Sequence, residues 1–299
     1  MKLAVTGATG FVGSHLLDGA IAAGHDVRAL TRRDQPQRNG VTWVRGSLGD
    51  PASLADLCAG AEAVVHVAGV LTADAAGFEA GNVAGTRAML EAASTASIRR
   101  FVHVSSLAAR EPQLSMYGAS KARSETLVKT APLEWSIVRP PAVYGPGDKE
   151  TLDLFKMAKA GVVALPPKGK LSVIHVDDLV DLLLALVTVQ APYGMTVEPD
   201  DGSGGYSHEE FARLLGKAFD RNVLTLSMPG AAIRAGASID GFLRGDKAKL
   251  TADRASYFCH PDWVVDAARA VPVDLWTPRI PTPRGVKETA DWYRREGWL

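Results

Sequence analysis

Apolar residues in the first 140 positions come in short bursts separated by longer stretches of mixed polarity. Residues 3–6, 27–31, 41–45, 63–67, 100–105 and 135–139 are runs of strand length, rich in apolar and β-branched side chains. Between them, 12–23, 53–59, 82–94 and 117–129 have the length and composition of helices, and Gly24 stops the first. Strands that alternate with helices predict parallel pairing, right-handed crossovers and helices on both faces of one sheet. The fold class expected is therefore α/β, a doubly wound parallel sheet.

The pattern then loosens. Pro140, Pro141, Pro146, Pro166 and Pro167 punctuate the next stretch. Residues 172–176 read as one more strand of the main sheet and 177–189 as a helix behind it. From about 193 the elements are shorter and mixed. Ser207 and Glu210 form a capping box for a helix at 208–219. A last helix is expected at 284–295. These features imply two domains: 1–144 plus about 172–192, and a smaller mixed α/β domain of 145–171 plus about 193–299. Trp263, Trp276, Trp292 and Trp298 are expected to pack the smaller one.

Composition narrows the function classes. Of 299 residues 46% are hydrophobic, enough for a sizeable core. Lys and Arg total 33 and Asp and Glu total 33, so the formal net charge is zero. No global charge calls for nucleic acid or an anionic membrane as partner. Cys58 and Cys259 stand far apart without a CxxC pair, which points to neither a disulfide framework nor a metal site. No signal peptide is expected ahead of residue 7, and the apolar stretch 179–189 is broken by Asp181 and too short to span a bilayer. A cytoplasmic protein without membrane insertion is the expectation.

The first strand runs into VTGATGFVGSHLL, Val5 to Leu17. Gly7 can adopt positive φ and turn the chain sharply after the strand. Gly10 leaves room for a pyrophosphate against the backbone, and Gly13 lets the helix pack closely on the strand. The helix opening near Phe11 aims free N–H groups and the positive end of its dipole at that phosphate. A strand, glycine turn and helix in the first βαβ unit describe a Rossmann-type dinucleotide site. The larger domain is then dinucleotide-binding and the smaller one substrate-binding.

Further motifs follow in order. Tyr117-Gly-Ala-Ser-Lys121 is a YxxxK, and Ser105-Ser106 closes the fifth strand. His66-Val67-Ala68-Gly69 follows the fourth strand, and Asn82-Val-Ala-Gly85-Thr86 opens a helix. Arg139-Pro-Pro-Ala-Val-Tyr-Gly-Pro-Gly147 and His175-Val-Asp-Asp178 come later. With the GxxGxxG spacing, these resemble the extended and atypical branch of the short-chain dehydrogenase/reductase superfamily, the epimerase/dehydratase-like proteins, over residues 3–180. The resemblance implies Ser106, Tyr117 and Lys121 as catalytic residues. It implies cofactor contacts from Gly7, Thr9, Gly10, Phe11, Val12, Gly13, Ser47, Leu48, Val67, Ala68, Gly69 and Asn82. Pro140, Val143, Tyr117 and Lys121 complete that set. Helices 82–94 and 117–129 form a dimer face in many relatives, so a homodimer is a further expectation by analogy.

The chemistry of the YxxxK pair also follows from spacing. Positions i and i+4 share a helix face, so Lys121 can favour the Tyr117 phenolate and make the phenol a usable acid/base near neutrality. Lys121 also has donors for ribose hydroxyls. Ser106 is preferred to Ser105 because the family's serine immediately precedes a small apolar stretch, here Leu107-Ala108-Ala109. Strand two ends in Leu30-Thr31-Arg32-Arg33, with no carboxylate until Asp34. Two guanidinium groups suit a 2′-phosphate, so NADP(H) is preferred, with Arg32 favoured over Arg33 and NAD(H) left open. Two departures stand out. Gly46-Ser47-Leu48 replaces the Gly-Asp common in relatives, and only ten residues separate Ser106 from Tyr117, where sugar-nucleotide epimerases carry a longer insertion.

His66, His103 and His175 read as hydrogen-bonded structural histidines, with no metal-ligand spacing among them. Asp177-Asp178 read as acids at a helix N-terminus, and Tyr144 lacks a lysine four residues on. The function expected is an NADP(H)-dependent oxidoreductase, with hydride transfer at a carbonyl/alcohol of a small-molecule substrate and Tyr117 as general acid/base. The alternatives are a sugar-nucleotide epimerase/dehydratase with tightly held cofactor and a non-catalytic NADPH-binding structural or assembly protein.

Overall fold

The computed structural model describes residues 1–188, 190–244 and 251–299. The alternating first part folds as β1 (Lys2–Thr6), α1 (Phe11–Ala22), β2 (Asp26–Thr31), β3 (Val41–Arg45), α2 (Pro51–Cys58) and β4 (Ala63–His66). It continues with α3 (Ala75–Phe78), a π turn over Glu79–Ala84, α4 (Gly85–Thr95), β5 (Arg100–Val104), a 3₁₀ turn over Leu107–Arg110, α5 (Met116–Thr130) and β6 (Glu134–Val138). Next come β7 (Ala142–Tyr144), α6 (Leu152–Ala160), β8 (Val162–Leu165), β9 (Lys170–Leu171), β10 (Val173–His175), α7 (Val176–Leu186) and β11 (Met195–Val197). The chain closes with β12 (Tyr206–Ser207), α8 (His208–Lys217), β13 (Leu224–Ser227), α9 (Gly230–Arg244), α10 (Ala252–Phe258), β14 (Asp262–Trp263) and α11 (Thr282–Arg295).

The main sheet has seven strands in the order β11-β6-β5-β4-β1-β2-β3. Every pair in it is parallel. Strand order reverses between β1 and β4, where Thr6 lies opposite His66. A crevice opens at such a switch point, beyond the carboxyl ends of the strands. The glycine turn after β1 and the Val67–Gly69 turn after β4 both leave the sheet there. The sheet's buried residues include Leu3, Ala4, Val5, Val64, Val65, Phe101 and Val102, apolar on both faces as a covered parallel sheet requires.

Two expectations are corrected. The strand at 172–176 does not join the main sheet: Val173, Ile174 and His175 pair with Ala142, Val143 and Tyr144 in a separate parallel sheet. The seventh strand is Met195–Val197, beside β6. A parallel neighbour of β6 needs a crossover helix ahead of it. α7 supplies that helix for β11. The helix expected at 177–189 ends at Leu186, and Val189 lies outside the described residues.

The chain forms two compact units. The first is Met1–Pro140, Asp177–Pro199 and Ala268–Thr277, and the second Pro141–Val176, Asp200–Ala267 and Pro278–Leu299. Residues 193–199 and 268–277, expected in the smaller domain, fall in the first unit, and Trp276 goes with them. The second unit packs Phe155, Phe211, Leu215, Phe219, Val286 and Tyr293 into its own core. The Tyr293 hydroxyl donates to Asp148 O at 2.6 Å. Ser207 and Glu210 make the expected capping box at the start of α8.

Gly13 is where α1 meets the turn after β1. A Cβ there would stand 2.0 Å from Gly7 O. Gly13→Ala is expected to cost about 1–3 kcal/mol through overpacking against backbone that cannot yield. A thermal melt without cofactor measures this, and an unchanged midpoint would contradict it.

Candidate active site

The glycine turn is shaped by backbone contacts. Gly7 has φ +73°, and a Cβ on it would lie 2.6 Å from Ala68 N. The Gly10 N–H closes the turn onto Gly7 O at 3.0 Å. A Cβ at Gly10 would meet only that oxygen, at 3.3 Å, so the outer side of the turn is open. No side chain caps α1, whose first turn begins at Phe11. Thr9 and Gly10 are exposed, and Phe11 and Val12 are half-buried. An open turn beneath an uncapped helix N-terminus fits the phosphates of a dinucleotide.

A chain of hydrogen bonds fixes the second wall. Thr6 Oγ1 accepts the Ala68 N–H at 3.2 Å and donates to His66 Nδ1 at 2.8 Å. His66 Nε2 donates to Thr86 Oγ1 at 3.1 Å, and Thr86 in turn donates to Asn82 O at 2.7 Å. This network assigns the His66 proton to Nε2. The Asn82 side chain sits in the π turn. It accepts the Val70 N–H at 2.7 Å and donates to Val70 O at 3.1 Å and to Ser120 Oγ at 2.8 Å. Ser120 then donates to Tyr117 O at 2.7 Å. Asn82 therefore ties the turn after β4 to the first turns of α5.

Ser115 caps α5, accepting the Gly118 N–H at 2.9 Å. Gly118 is required because a Cβ would stand 2.6 Å from Ala108 O. Tyr117 is half-buried, its ring centroid 6.1 Å from that of Phe78. Lys121 is buried, and its Nζ donates to Val104 O at 2.7 Å, at the end of β5. Burial lowers its pKa to about 8, against the opposing pull of Glu125. Its ammonium also lies 3.7 Å from the place of a Cβ on Gly69.

The two serines after β5 have separate duties. Ser105 is buried and donates to Glu125 Oε1 at 2.6 Å. Ser106 is half-buried; its Oγ accepts the Ala108 N–H at 3.2 Å, and no described residue accepts its hydroxyl hydrogen. Glu125 also receives Arg139 Nε at 2.8 Å and Nη2 at 2.7 Å. Arg139 Nη1 reaches Glu198 at 3.2 Å, and Arg110 reaches the other oxygen of that carboxylate at 3.3 Å. Burial acts to raise the Glu125 carboxyl, but hydrogen bonds from Arg139 and Ser105 more than offset it and hold it below its usual value. Sequence reasoning missed this cluster. Its signal was Glu125 itself, four residues beyond Lys121 on the same buried helix face.

His66 and His103 stack beside Lys121 with centroids 5.4 Å apart and an 18° interplanar angle. His103 Nε2 bonds Ser124 Oγ at 3.0 Å. Burial and the Lys121 charge lower the His66 pKa to about 3. The same causes, with His66 added, push His103 well below 6.5. Both rings are therefore neutral and structural near neutrality. Asp177 and Asp178 lie in the first turn of α7, and Asp177 pairs with His15 Nδ1 at 2.7 Å.

Beyond β2, Arg32 and Arg33 are exposed, and neither guanidinium has an ion-pair partner among the described residues. Asp34, the first carboxylate after the strand, is engaged by Arg45 at 2.6 Å. Ser47 exchanges backbone hydrogen bonds with Ser53 Oγ, and Leu48 packs where a Cβ on Gly85 would lie 2.7 Å away. Val67 and Ala68 are half-buried and Gly69 exposed in the turn after β4. Pro140 O accepts the Leu107 N–H at 3.0 Å, while Val143 belongs to β7 in the second unit.

The sheet order, the glycine turn at the switch point and the Ser-Tyr-Lys set describe a dinucleotide-dependent enzyme fold. Residues 3–194 match the model of the NAD dependent epimerase/dehydratase family. The chain belongs to that family and is an enzyme. It is 38% identical to a ceramide reductase of Caulobacter vibrioides over 99% of this chain and 96% of that one. It is 34% identical to a ketoreductase of Stigmatella aurantiaca that acts on 4-hydroxy-2-methyl-3-oxo-4-farnesyl-3,4-dihydroquinoline-1-oxide, over 50% of this chain and 52% of that one. Among solved structures, MoeE5 in complex with UDP-glucuronic acid and NAD superposes with a TM-score of 0.78 at 23% identity, covering 99% of each chain, a likeness of fold. Among the described residues no helix is long and apolar enough to cross a membrane, and no His, Cys, Asp or Glu group could hold a metal ion.

The buried imidazoles make a pH prediction. His66 titrates near 3 in the folded protein and near 6.5 when unfolded. Between these values the unfolded chain binds the extra proton. The stability is therefore complete above about 6.5 and is lost as the pH falls toward 3. His66→Gln is expected to flatten the dependence of unfolding free energy on pH across that window. Urea melts at several pH values measure it, and parallel slopes for variant and wild type would refute the assignment.

Proposed function

We propose that the protein is an NADP(H)-dependent reductase that converts a ketone on a long-chain, water-insoluble substrate to the alcohol. The observation that carries this reading is the division of the two serines. Ser105 is held by Glu125, whereas Ser106 keeps a hydroxyl hydrogen to give, on the strand end whose Val104 carbonyl holds the Lys121 ammonium. The substrate class is supported by the 38% identity to a ceramide reductase over nearly the whole of both chains. The farnesylated substrate of the second relative has the same character.

In this reading the reduced nicotinamide, when bound, supplies hydride to the carbonyl carbon. Ser106 Oγ donates a hydrogen bond to the carbonyl oxygen and orients it. The Tyr117 phenol delivers the proton to that oxygen as the alcohol forms. Lys121, an ammonium below about pH 8, favours the phenolate left behind and offers its remaining donors to the ribose. The exposed Arg32 and Arg33 hold the 2′-phosphate. Asp34, the first carboxylate after the strand, is paired with Arg45.

Three measurements test the reading. Tyr117→Phe is expected to cut turnover by about 10²-fold or more while NADPH binding persists; a fully active variant would remove Tyr117 from the chemistry. Replacing Arg32 and Arg33 together by alanine is expected to weaken NADPH by about tenfold or more and leave NADH unchanged. An equal effect on both cofactors would overturn the 2′-phosphate assignment. For the substrate class, a detergent-dispersed long-chain ketone should drive NADPH oxidation and a UDP-sugar should not.

A further inference from the structure

Among the described residues, the second unit presents an apolar row to solvent. Among the described residues, β8 and β13 pair only with each other, with Leu224 opposite Val162 and Leu226 opposite Ala164. Alternate strand residues point to opposite faces. Val163 and Leu165 turn inward to the core around Phe155 and Phe219. Val162, Leu224 and Leu226 turn outward, with 43%, 61% and 49% of their surface exposed, and Met228 extends the row at 40%. Four large apolar side chains on one short ribbon differ from the single exposed residues of ordinary surfaces.

Positive charge brackets this row. At one end the Leu224 N–H bonds Gly161 O at 2.9 Å. Lys159 lies in the last turn of α6 just before that contact, and Arg221 Nη1 lies 3.8 Å from the place of a Cβ on Gly161. At the other end the Met228 N–H bonds Leu165 O at 2.9 Å. Arg234 follows in α9, with Nη1 3.3 Å from the place of a Cβ on Gly230. All three cations are exposed, and none has an ion-pair partner among the described residues.

We propose that this ribbon docks on an anionic lipid surface. The apolar row enters the headgroup region, and Lys159, Arg221 and Arg234 meet lipid phosphates. The charge pattern favours lipid over a second copy of the chain, because self-association of this face would set cations against cations. The attraction is local, since the formal net charge of the whole chain is zero. The inference rests on the long-chain substrate reading for its purpose: a water-insoluble ketone resides in such a surface.

The test is co-sedimentation of the full chain with vesicles of phosphatidylcholine alone and with phosphatidylglycerol added. Wild type is expected to bind the anionic vesicles and not the neutral ones. Leu224→Ser with Leu226→Ser, and separately Lys159→Glu with Arg221→Glu, are expected to weaken binding by about tenfold or more. Unchanged thermal melts of both variants keep the comparison fair. Absence of wild-type binding, equal binding by the variants, or a wild-type dimer that the leucine variant dissociates would overturn the proposal. Reduction of a detergent-dispersed ketone separates the two readings. Reduction without vesicle binding removes the docking surface alone, and vesicle binding without reduction removes the reductase reading alone.

Discussion

The site depends on keeping one ammonium out of water. Lys121 is buried, and burial alone disfavours its charge. Its surroundings divide into groups that compensate and groups that must stay neutral. Val104 O accepts its proton at 2.7 Å, and Glu125, four residues on, supplies the opposing charge. His66 and His103 stack nearby and cannot take a proton without adding to the positive charge, so their depressed pKa values follow from the same burial and the same lysine. The hydrogen bonds of His66 to Thr6 and Thr86 then determine where the turns after β1 and β4 stand. A substitution that charged either ring would therefore disturb the turns after β1 and β4 as well as the lysine.

Glu125 links this electrostatic problem to the pair of serines after β5. Its carboxylate cannot be spent on Lys121 alone, because Arg139 grips both oxygens and Ser105 donates to one of them. Arg139 stands directly after β6, Ser105 directly after β5, and Glu125 on α5. The cluster thus pins the ends of two strands to the helix that carries Tyr117 and Lys121. Glu198 extends the pinning to the segment after β11 through Arg139 and Arg110. A buried ion cluster of this kind is weak as a source of stability but severe when broken, since removing one partner strands the others. Its value here is in fixing where Ser106 emerges.

The main sheet was legible in the sequence because each of its first six strands is a run of apolar residues separated from the next by a helix or a glycine turn. The glycine turn was legible because backbone contacts at Gly7 and Gly13 exclude any side chain, a constraint that only glycine satisfies. The seventh strand was not. Met195–Val197 and Val173–His175 are both three-residue strands, and nothing in their own residues marks which of them joins β6. Residues 268–277 entered the first unit for a similar reason: Arg269 O accepts the Glu198 N–H at 2.9 Å, a contact with no local signature. The charged cluster escaped because its members are scattered along the chain and each reads alone as a surface charge. Asn82 shows the opposite case, a motif residue visible in sequence whose side chain braces the turn after β4.

Charge in this protein is balanced in total and segregated in detail. Inside the first unit, carboxylates and guanidinium groups meet and cancel, as Glu125 and Glu198 do with Arg139. At the end of β2 the balance is incomplete: Arg45 takes Asp34, and Arg32 and Arg33 have no ion-pair partner among the described residues. Unpaired exposed guanidinium groups contribute little to folding. The 2′-phosphate proposed for them would give them a partner that the described protein residues do not. In the second unit the cations around β8 and β13 are unpaired in the same way, but beside an apolar row instead of a helix terminus. Formal net charge averages over both places and so carries no information about either.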